Sequence, residues 1–573
     1  MMCLRSHTAH KFQQWSPGII LFVLSVVVVT LTGCGGNGQP ENEVISVTGG
    51  TITGTTSGFD ETVRVYKGIP YAAAPVRGLR WQPPQPVEPW EGTREAATFS
   101  PACTQLLRDV DYFYGPGADE MSEDCLYVNV WTAAAPNESN PVMVWLHPGG
   151  FSNGTGSDER FDGTLLAGRG VVLVSINYRL GPAGFLAHPL LSGENEHNSS
   201  GNYGILDQIA ALDWIRTNIA AFGGNPESVT IFGASAGASS VAYLMASPLA
   251  KGLFHRAIAQ STSSFTATSR IRTPSLNGRS AEEEGELFVE AFLANATELI
   301  LDLGEDVPLT LDNLRVIQAG VMLRALRTEG STFSAAPNVD GWVLEDSVYE
   351  TFAAGRQSDV PVIFGWTAQE GSGPMLDGVT GQTPQNVETY NSHVDDLLGD
   401  LASEHHQLYP VSTEKASQQA FVESYGDRQY GWSGWTGAKL MNNVSSSSYL
   451  YYFTRVPPGP NSESLGAYHS VDVAYVFGNF GLGTAPVSNR DYGDVDRQLG
   501  NQMMSYWINF AATGDPNGTG LPEWLAYSPD ADKTMIFGDR PETQNSVRKA
   551  QLDLFDRYQA NRRAAFQATS GNP

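Results

Sequence analysis

Residues 228–247, SVTIFGASAGASSVAYLMAS, read as an apolar, β-branched strand that turns without a spacer into a helix of small residues. A turn this tight leaves few arrangements open. The strand must be buried on both faces, and the helix must fold back against it. The turn itself is Gly233-Ala234-Ser235-Ala236-Gly237. Small residues are needed there because the backbone bends sharply and the helix packs close to the strand. A Gly-x-Ser-x-Gly string alone says little in a chain with 60 glycines, and a second copy occurs at Gly150-Phe151-Ser152-Asn153-Gly154. The second also follows a strand, but NGTGSDERFDG behind it is loop-like. Ser235 is therefore the candidate nucleophile.

The same strand-helix alternation runs through the chain. PVMVWLH (141–147), GVVLVSINY (170–178), AIAQST, VPVIFGW and SSYLYYFTR have the composition of buried strands, and 203–223 has helical apolar spacing. VISVTGGTITGTT near residue 44 reads as a hairpin. The segments near 270–335 and 375–445 are helical and polar, as a cap or side layer would be. The expected class is α/β, with a mostly parallel twisted sheet covered on both faces. Apolar content of 41% and charged content of 17% are those of a globular chain, and no repeat divides it after Val44.

A serine hydroxyl attacks only with a base beside it, and the base needs an orienting carboxylate. In sheets built around this turn the chain order is serine, acid, histidine. That leaves His255, His393, His405, His406 and His469. His255 in GLFHRAI reads as a packed helix-end residue, and the next three lie in polar helical stretches. His469, in GAYHSVDVAYVFGN, follows a strand, where a catalytic loop is expected. By the same logic Glu370 in VPVIFGWTAQEGSG is the acid, with Asp340, Asp346 and Asp427 as competitors. A developing oxyanion needs backbone N–H donors. Ala236 supplies one, and the turn WLHPGGF supplies others. Pro148 has no N–H, so the donors there are Gly149 and Gly150.

With 61 acidic against 34 basic residues the net charge is −27, which excludes a basic nucleic-acid footprint and disfavours polyanionic substrates. The N-terminus carries a basic region (Arg5, Lys11) and a short apolar run, Ile19–Thr30, ending in Leu31-Thr32-Gly33-Cys34. This is the pattern of a lipoprotein signal peptide over 1–33, with Cys34 as the lipidation site and 34–43 as a flexible tether. The expected location is the bacterial cell envelope, with the outer membrane favoured because Gly35 stands where an inner-membrane retention aspartate would. The enzyme domain then spans 44–573. With Cys3 in the leader and Cys34 lipidated, Cys103 and Cys125 remain as an even pair in an exported chain, hence a disulfide contributing about 3 kcal/mol.

From Val44 onward the sequence resembles the type-B carboxylesterase family, which includes the cholinesterases, within the α/β-hydrolase fold. FGGNPESVTIFGASAG (222–237) fits its active-site signature and EDCLYVNVW (123–131) its second signature. KGIPYAAAPVRGLRWQPPQP, NYRLGPAGF and GNYGILDQ agree as well. The resemblance implies Ser235, Glu370 and His469 as a triad, with Gly149, Gly150 and Ala236 as oxyanion donors. It also implies a Cys103–Cys125 disulfide, ion pairs Arg80–Glu123 and Arg179–Asp207, and Ser261 supporting Glu370. The implied activity is hydrolysis of carboxylic esters through an acyl-enzyme, with no metal or organic cofactor.

Three departures stand out, the first and third bearing on substrate and the second on the entry to the oxyanion turn. Ala234 stands where the family usually has Glu, HPGG replaces the commoner HGGG, and the loop 104–124 has Tyr112, Phe113 and Tyr114 but no tryptophan to hold a quaternary ammonium. Choline esters are thus disfavoured and uncharged esters expected, in a gorge lined with aromatic side chains. Asp472 stands where Glu often follows the histidine. The alternatives are a transacylase, an amide or carbamate hydrolase, and a non-catalytic binding protein on the same fold. Oligomeric state is not legible.

Overall fold

The apolar runs become strands of one eleven-stranded sheet. The computed structural model describes residues 43–106, 120–135, 138–266, 268–274, 278–299, 309–328, 333–372, 384, 386–482 and 489–570. The leader, Cys34 with most of its tether, and Tyr112–Tyr114 lie outside these residues.

In chain order the sheet consists of β1 (Thr55–Thr56), β2 (Arg64–Pro70), β3 (Tyr127–Thr132), β4 (Asn140–Leu146), β5 (Val172–Ile176) and β6 (Gly224–Ala234). It continues with β7 (Arg256–Gln260), β8 (Val362–Thr367), β9 (Ser448–Phe453), β10 (Lys533–Phe537) and β11 (Pro541–Asn545). The spatial order is 1-2-3-5-4-6-7-8-9-10-11. Strands β5, β4 and β6 through β10 are mutually parallel, and antiparallel pairs flank them at both edges. The anticipated hairpin also forms, pairing Val44–Val47 with Gly50–Thr53.

The central strands are β-branched because both faces are covered. Val142 to Leu146 are all fully buried, and each such aliphatic side chain contributes about 1.5–3 kcal/mol. One face packs on helices Tyr203–Asn218 and Ala236–Ala246, which share a core with β4 and β6. The other face packs on Asp494–Thr513, whose Met503, Trp507 and Phe510 join Trp145 and Phe232 in a second core. The polar segments are helical as expected, at Ala281–Leu299, Val387–Leu398, Glu414–Gly426 and Trp432–Leu440. His255 differs from expectation. It ends no helix but precedes β7, where its Nδ1 accepts from the Val229 amide at 3.2 Å. A polar ring suits that place because it satisfies an amide at the strand's entry.

The order of the sheet decides where chemistry can occur. From β4 the chain moves to β5 on one side and then crosses to β6 on the other. Loops leaving the carboxyl ends of β4 and β6 diverge there and open a crevice.

Candidate active site

Ser235 sits on that crevice, between β6 and helix Ala236–Ala246, with φ 56° and ψ −120°. Positive φ in a non-glycine residue is strained, and it persists only where the surroundings enforce it. Here the flanking glycines allow it. A Cβ at Gly237 would lie 1.9 Å from the Leu146 carbonyl oxygen, and one at Gly233 would lie 2.6 Å from the Gly237 backbone. The helix therefore crosses directly over the carboxyl end of β4. The serine amide donates to the Gln260 carbonyl at 2.9 Å, and the Ser235 carbonyl accepts from the Ser239 amide at 2.8 Å. No helix starts at Ser152, the next helical residues being the 3-10 turn Glu159–Phe161, so the two Gly-x-Ser-x-Gly strings separate as their contexts predict.

The turn after β4 is equally constrained. Gly149 and Gly150 have φ of 130° and 59°, and a Cβ at Gly149 would meet the Asn153 carbonyl oxygen at 1.9 Å. Its carbonyl accepts from the Ser152 and Asn153 amides, both at 3.1 Å. Among the described residues the amides of Gly149 and Gly150 donate to no protein acceptor. His147 enters this turn fully buried, stacked on Tyr178 at 4.4 Å, with Nδ1 donating to the Pro148 carbonyl at 2.8 Å. Burial pushes its pKa down to about 4, so the ring is neutral and structural.

Glu370 and His469 meet through two clamped loops. Gln369 bridges to Tyr468 in parallel-strand fashion, and its amide donates to the Ala467 carbonyl at 2.9 Å. The Gln369 side-chain oxygen accepts from the Ala467 amide at 2.7 Å. Gly466 has φ 60°, and a Cβ there would strike that oxygen at 2.5 Å. Held in this way, the fully buried Glu370 accepts from His469 Nδ1 through Oε2. Its Oε1 accepts from the Ser261 hydroxyl at 2.6 Å and the Thr367 amide at 2.7 Å. His469 Nε2 is buried and, among the described residues, has no hydrogen-bond partner. The structure thus joins Glu370 to His469 directly and, among the described residues, leaves the second nitrogen of His469 unbonded. It contains no hydrogen bond from His469 to Ser235.

The competing carboxylates are occupied elsewhere. Asp340 accepts from the amides of Trp342, Val343 and Leu344. Asp346 pairs with Arg356 and Asp427 with Arg548. His393, His405 and His406 lie in helices, as expected. The ion pairs form bidentate contacts: Arg80 to Glu123 at 2.6 Å in both bonds, and Arg179 to Asp207 at 2.8 and 2.7 Å. Arg80 also donates to the Leu314 and Ile317 carbonyls, tying the helical insertion to the sheet domain. Cys103 and Cys125 are bonded. Ala234 is fully buried, packed in the core with Trp145 and Phe232.

Two features take their role from the tertiary structure: one has no sequence signal that pattern reading would detect, and the other is visible in the sequence without a role. Residues Asp427–Gly431 form a π-helical turn, which presents the Tyr430 ring to His469 at 4.6 Å between centroids. A Cβ at the preceding Gly426 would lie 3.0 Å from Glu370 Cβ, so the turn backs both residues. Such π turns occur often at functional sites. Asp472 is the second feature. Fully buried one turn after His469, it accepts from Tyr451 Oη and from Gln260 Nε2 at 3.0 Å, while Trp507 Nε1 donates to Gln260 Oε1 at 3.3 Å. Gln260 is the residue whose carbonyl accepts from Ser235, so the network joins the helix Asp472–Phe477, which follows His469, to the serine turn. Burial raises the Asp472 pKa. Asp472→Ala leaves a phenol and an amide unpaired in a dry site and is expected to lower stability by about 2–4 kcal/mol. The urea midpoint at constant m-value reads this, and an unmoved midpoint would show the network to be dispensable.

A strained serine turn at a sheet crevice, beside a buried histidine–carboxylate pair, is the arrangement of an α/β-hydrolase. The Carboxylesterase family profile matches residues 41–555. The chain belongs to that family and is a carboxylesterase. It is 34% identical to the para-nitrobenzyl esterase of Bacillus subtilis over 515 residues, covering 88% of this chain and 96% of the relative. It is 32% identical to the fumonisin B1 esterase of Sphingopyxis macrogoltabida over 508 residues, 86% of each. The crystal structure of a Geobacillus stearothermophilus carboxylesterase at pH 6.2 superposes with a TM-score of 0.75 at 31% identity, covering 89% of this chain and 99% of that one.

Proposed function

We propose that the protein hydrolyses uncharged carboxylic esters through an acyl-enzyme on Ser235. The observation that carries this reading is the state of His469. Its Nδ1 is bonded to Glu370, so Nδ1 holds the proton and Nε2 carries the free lone pair. Nε2 is therefore the atom able to take the Ser235 proton as Oγ attacks the ester carbonyl. The imidazolium so formed lies against the Glu370 carboxylate, whose other oxygen is held by Ser261 and Thr367. The amides of Gly149, Gly150 and Ala236 receive the charge that develops on the carbonyl oxygen. His469 returns the proton to the leaving alcohol, then activates the water that releases the acid.

The Ser235–His469 bond forms as substrate closes the site, since catalytic hydrogen bonds in free enzymes are often long and tighten in the complex. The substrate class rests on charge and relatives. A chain of charge −27 repels anionic esters. The names of two relatives point to different esters, para-nitrobenzyl and fumonisin B1, so what they share is the ester function. A fluorophosphonate probe tests the reading: mass spectrometry should find the adduct on the peptide containing Ser235. Labelling elsewhere, or none by a protein active on p-nitrophenyl esters, would defeat it.

The same reading includes a lipid anchor at Cys34 and an envelope location, supported by the apolar run and the Leu31-Thr32-Gly33-Cys34 string. Among the described residues no helix is long and apolar enough to cross a membrane. Palmitate labelling in the producing cell should vanish in Cys34→Ala and the protein should leave the membrane fraction. Labelling that survives the substitution counts against the anchor.

A further inference from the structure

The C-terminal helix Lys549–Ser570 closes a cavity of about 120 Å³ against residues 265–266 and 268–270 and the helix Val348–Ala353. None of Ser235, Glu370, His469, Gly149 and Gly150 lines it.

The charge of its wall runs against that of the protein. Carboxylates outnumber cations by 61 to 34 in the chain, yet Arg270, Arg562 and Arg563 line this cavity with Glu350 as its one acid. Glu350 is engaged by Arg270 at 2.9 Å. The other two arginines have no such neutralisation. Arg563 lies over the Tyr349 ring at 3.7 Å and Arg562 over Tyr558 at 5.8 Å, and among the described residues neither has a carboxylate within ion-pair reach. Aromatic faces hold a guanidinium in place but leave its N–H fork available in the ring plane. That fork matches a carboxylate, which it binds through paired, charge-assisted bonds. Beside it, Phe265, Tyr349 and Phe566 offer apolar surface for a hydrocarbon or aryl group.

We propose that this cavity is a second ligand site, specific for a small amphipathic carboxylate whose anionic head pairs with Arg562 and Arg563 and whose apolar part lies on the aromatic wall. Ester hydrolysis releases molecules of this class. The choice of ligand class rests on that activity, whereas the binding itself does not depend on turnover.

Calorimetric titration of the full-length protein with sodium octanoate tests it. The parent binds octanoate, and Arg562→Gln/Arg563→Gln weakens binding at least about tenfold. Arg562→Gln alone weakens it less, and Arg562→Lys/Arg563→Lys falls between the parent and the glutamine double variant, because the charge remains while the paired fork is lost. Octanol, with the same chain and no charge, binds at least about tenfold more weakly than octanoate. Hydrolysis of p-nitrophenyl acetate by the glutamine double variant, without octanoate, equals the parent rate and reports an intact fold. Absence of octanoate binding by the parent overturns the proposal, as does unchanged binding in the double variant or equal binding of octanol. Arginine-dependent binding in a parent that fails to cleave esters leaves this site standing and defeats the catalytic reading instead.

Discussion

Ser235→Ala should lower kcat for p-nitrophenyl butyrate by about 10⁴–10⁶-fold and leave the fold intact. The two effects separate for a structural reason. The strain at residue 235 is held by the backbone, through its amide on the Gln260 carbonyl and the close approach of Gly237 to Leu146. Alanine keeps that backbone and removes only the oxygen. The residual rate reflects oxyanion donors and binding, which act on a water as well as on a serine. Thermal unfolding should be nearly unchanged. Ser152→Ala is the matched control. It sits in the other Gly-x-Ser-x-Gly string, with its hydroxyl 3.3 Å from the Gly150 carbonyl, and should stay near the parent rate. A Ser235→Ala protein that retains most of its turnover would remove the nucleophile from the mechanism.

Glu370→Gln should cost about 10³–10⁴-fold in kcat with little change in KM. The carboxylate serves three donors at once: Ser261 Oγ, the Thr367 amide and His469 Nδ1. A glutamine has one acceptor oxygen. Kept on Ser261 and Thr367, that oxygen leaves the side-chain NH₂ facing Nδ1, which must then lose its proton. The proton moves to Nε2, and a protonated Nε2 cannot accept from a serine. The ring is in place but in the wrong tautomer. Steady-state kinetics on the purified variant measures the split between kcat and KM. A loss under about tenfold would mean that Glu370 does not set the tautomer.

The pairing of Glu370 with His469 is legible because chain order and strand position restrict the candidates severely. His469 was reached by elimination among five histidines, and Glu370 by its place after a buried strand. Each lies where a parallel sheet delivers side chains, at a strand's carboxyl end. The ion pairs of Arg80 and Arg179 and the Cys103–Cys125 bond came from family resemblance and cysteine count, and all three form. Asp472 was visible but had no role. Its meaning lies in Tyr451 and Gln260, which come from neighbouring regions of the sheet, and local sequence carries no record of them. Tyr430 was invisible for a similar reason, since a π turn is one extra residue in a helix and its composition is ordinary.

What the sequence determined unaided is the set of local choices. Glycines stand where a side chain would collide with a carbonyl, β-branched runs stand where both faces are dry, and one serine is placed on a forced turn. Local sterics and periodicity act within a few residues, so a linear reading reaches them. The tertiary structure alone decided which groups, among the described residues, lack a hydrogen bond or a countercharge when the chain closes: the second nitrogen of His469 has no hydrogen bond, and two ring-stacked arginines face a cavity without a carboxylate partner. Pairing across hundreds of residues depends on sheet order and loop closure, and these emerge only when all the strands have found their neighbours.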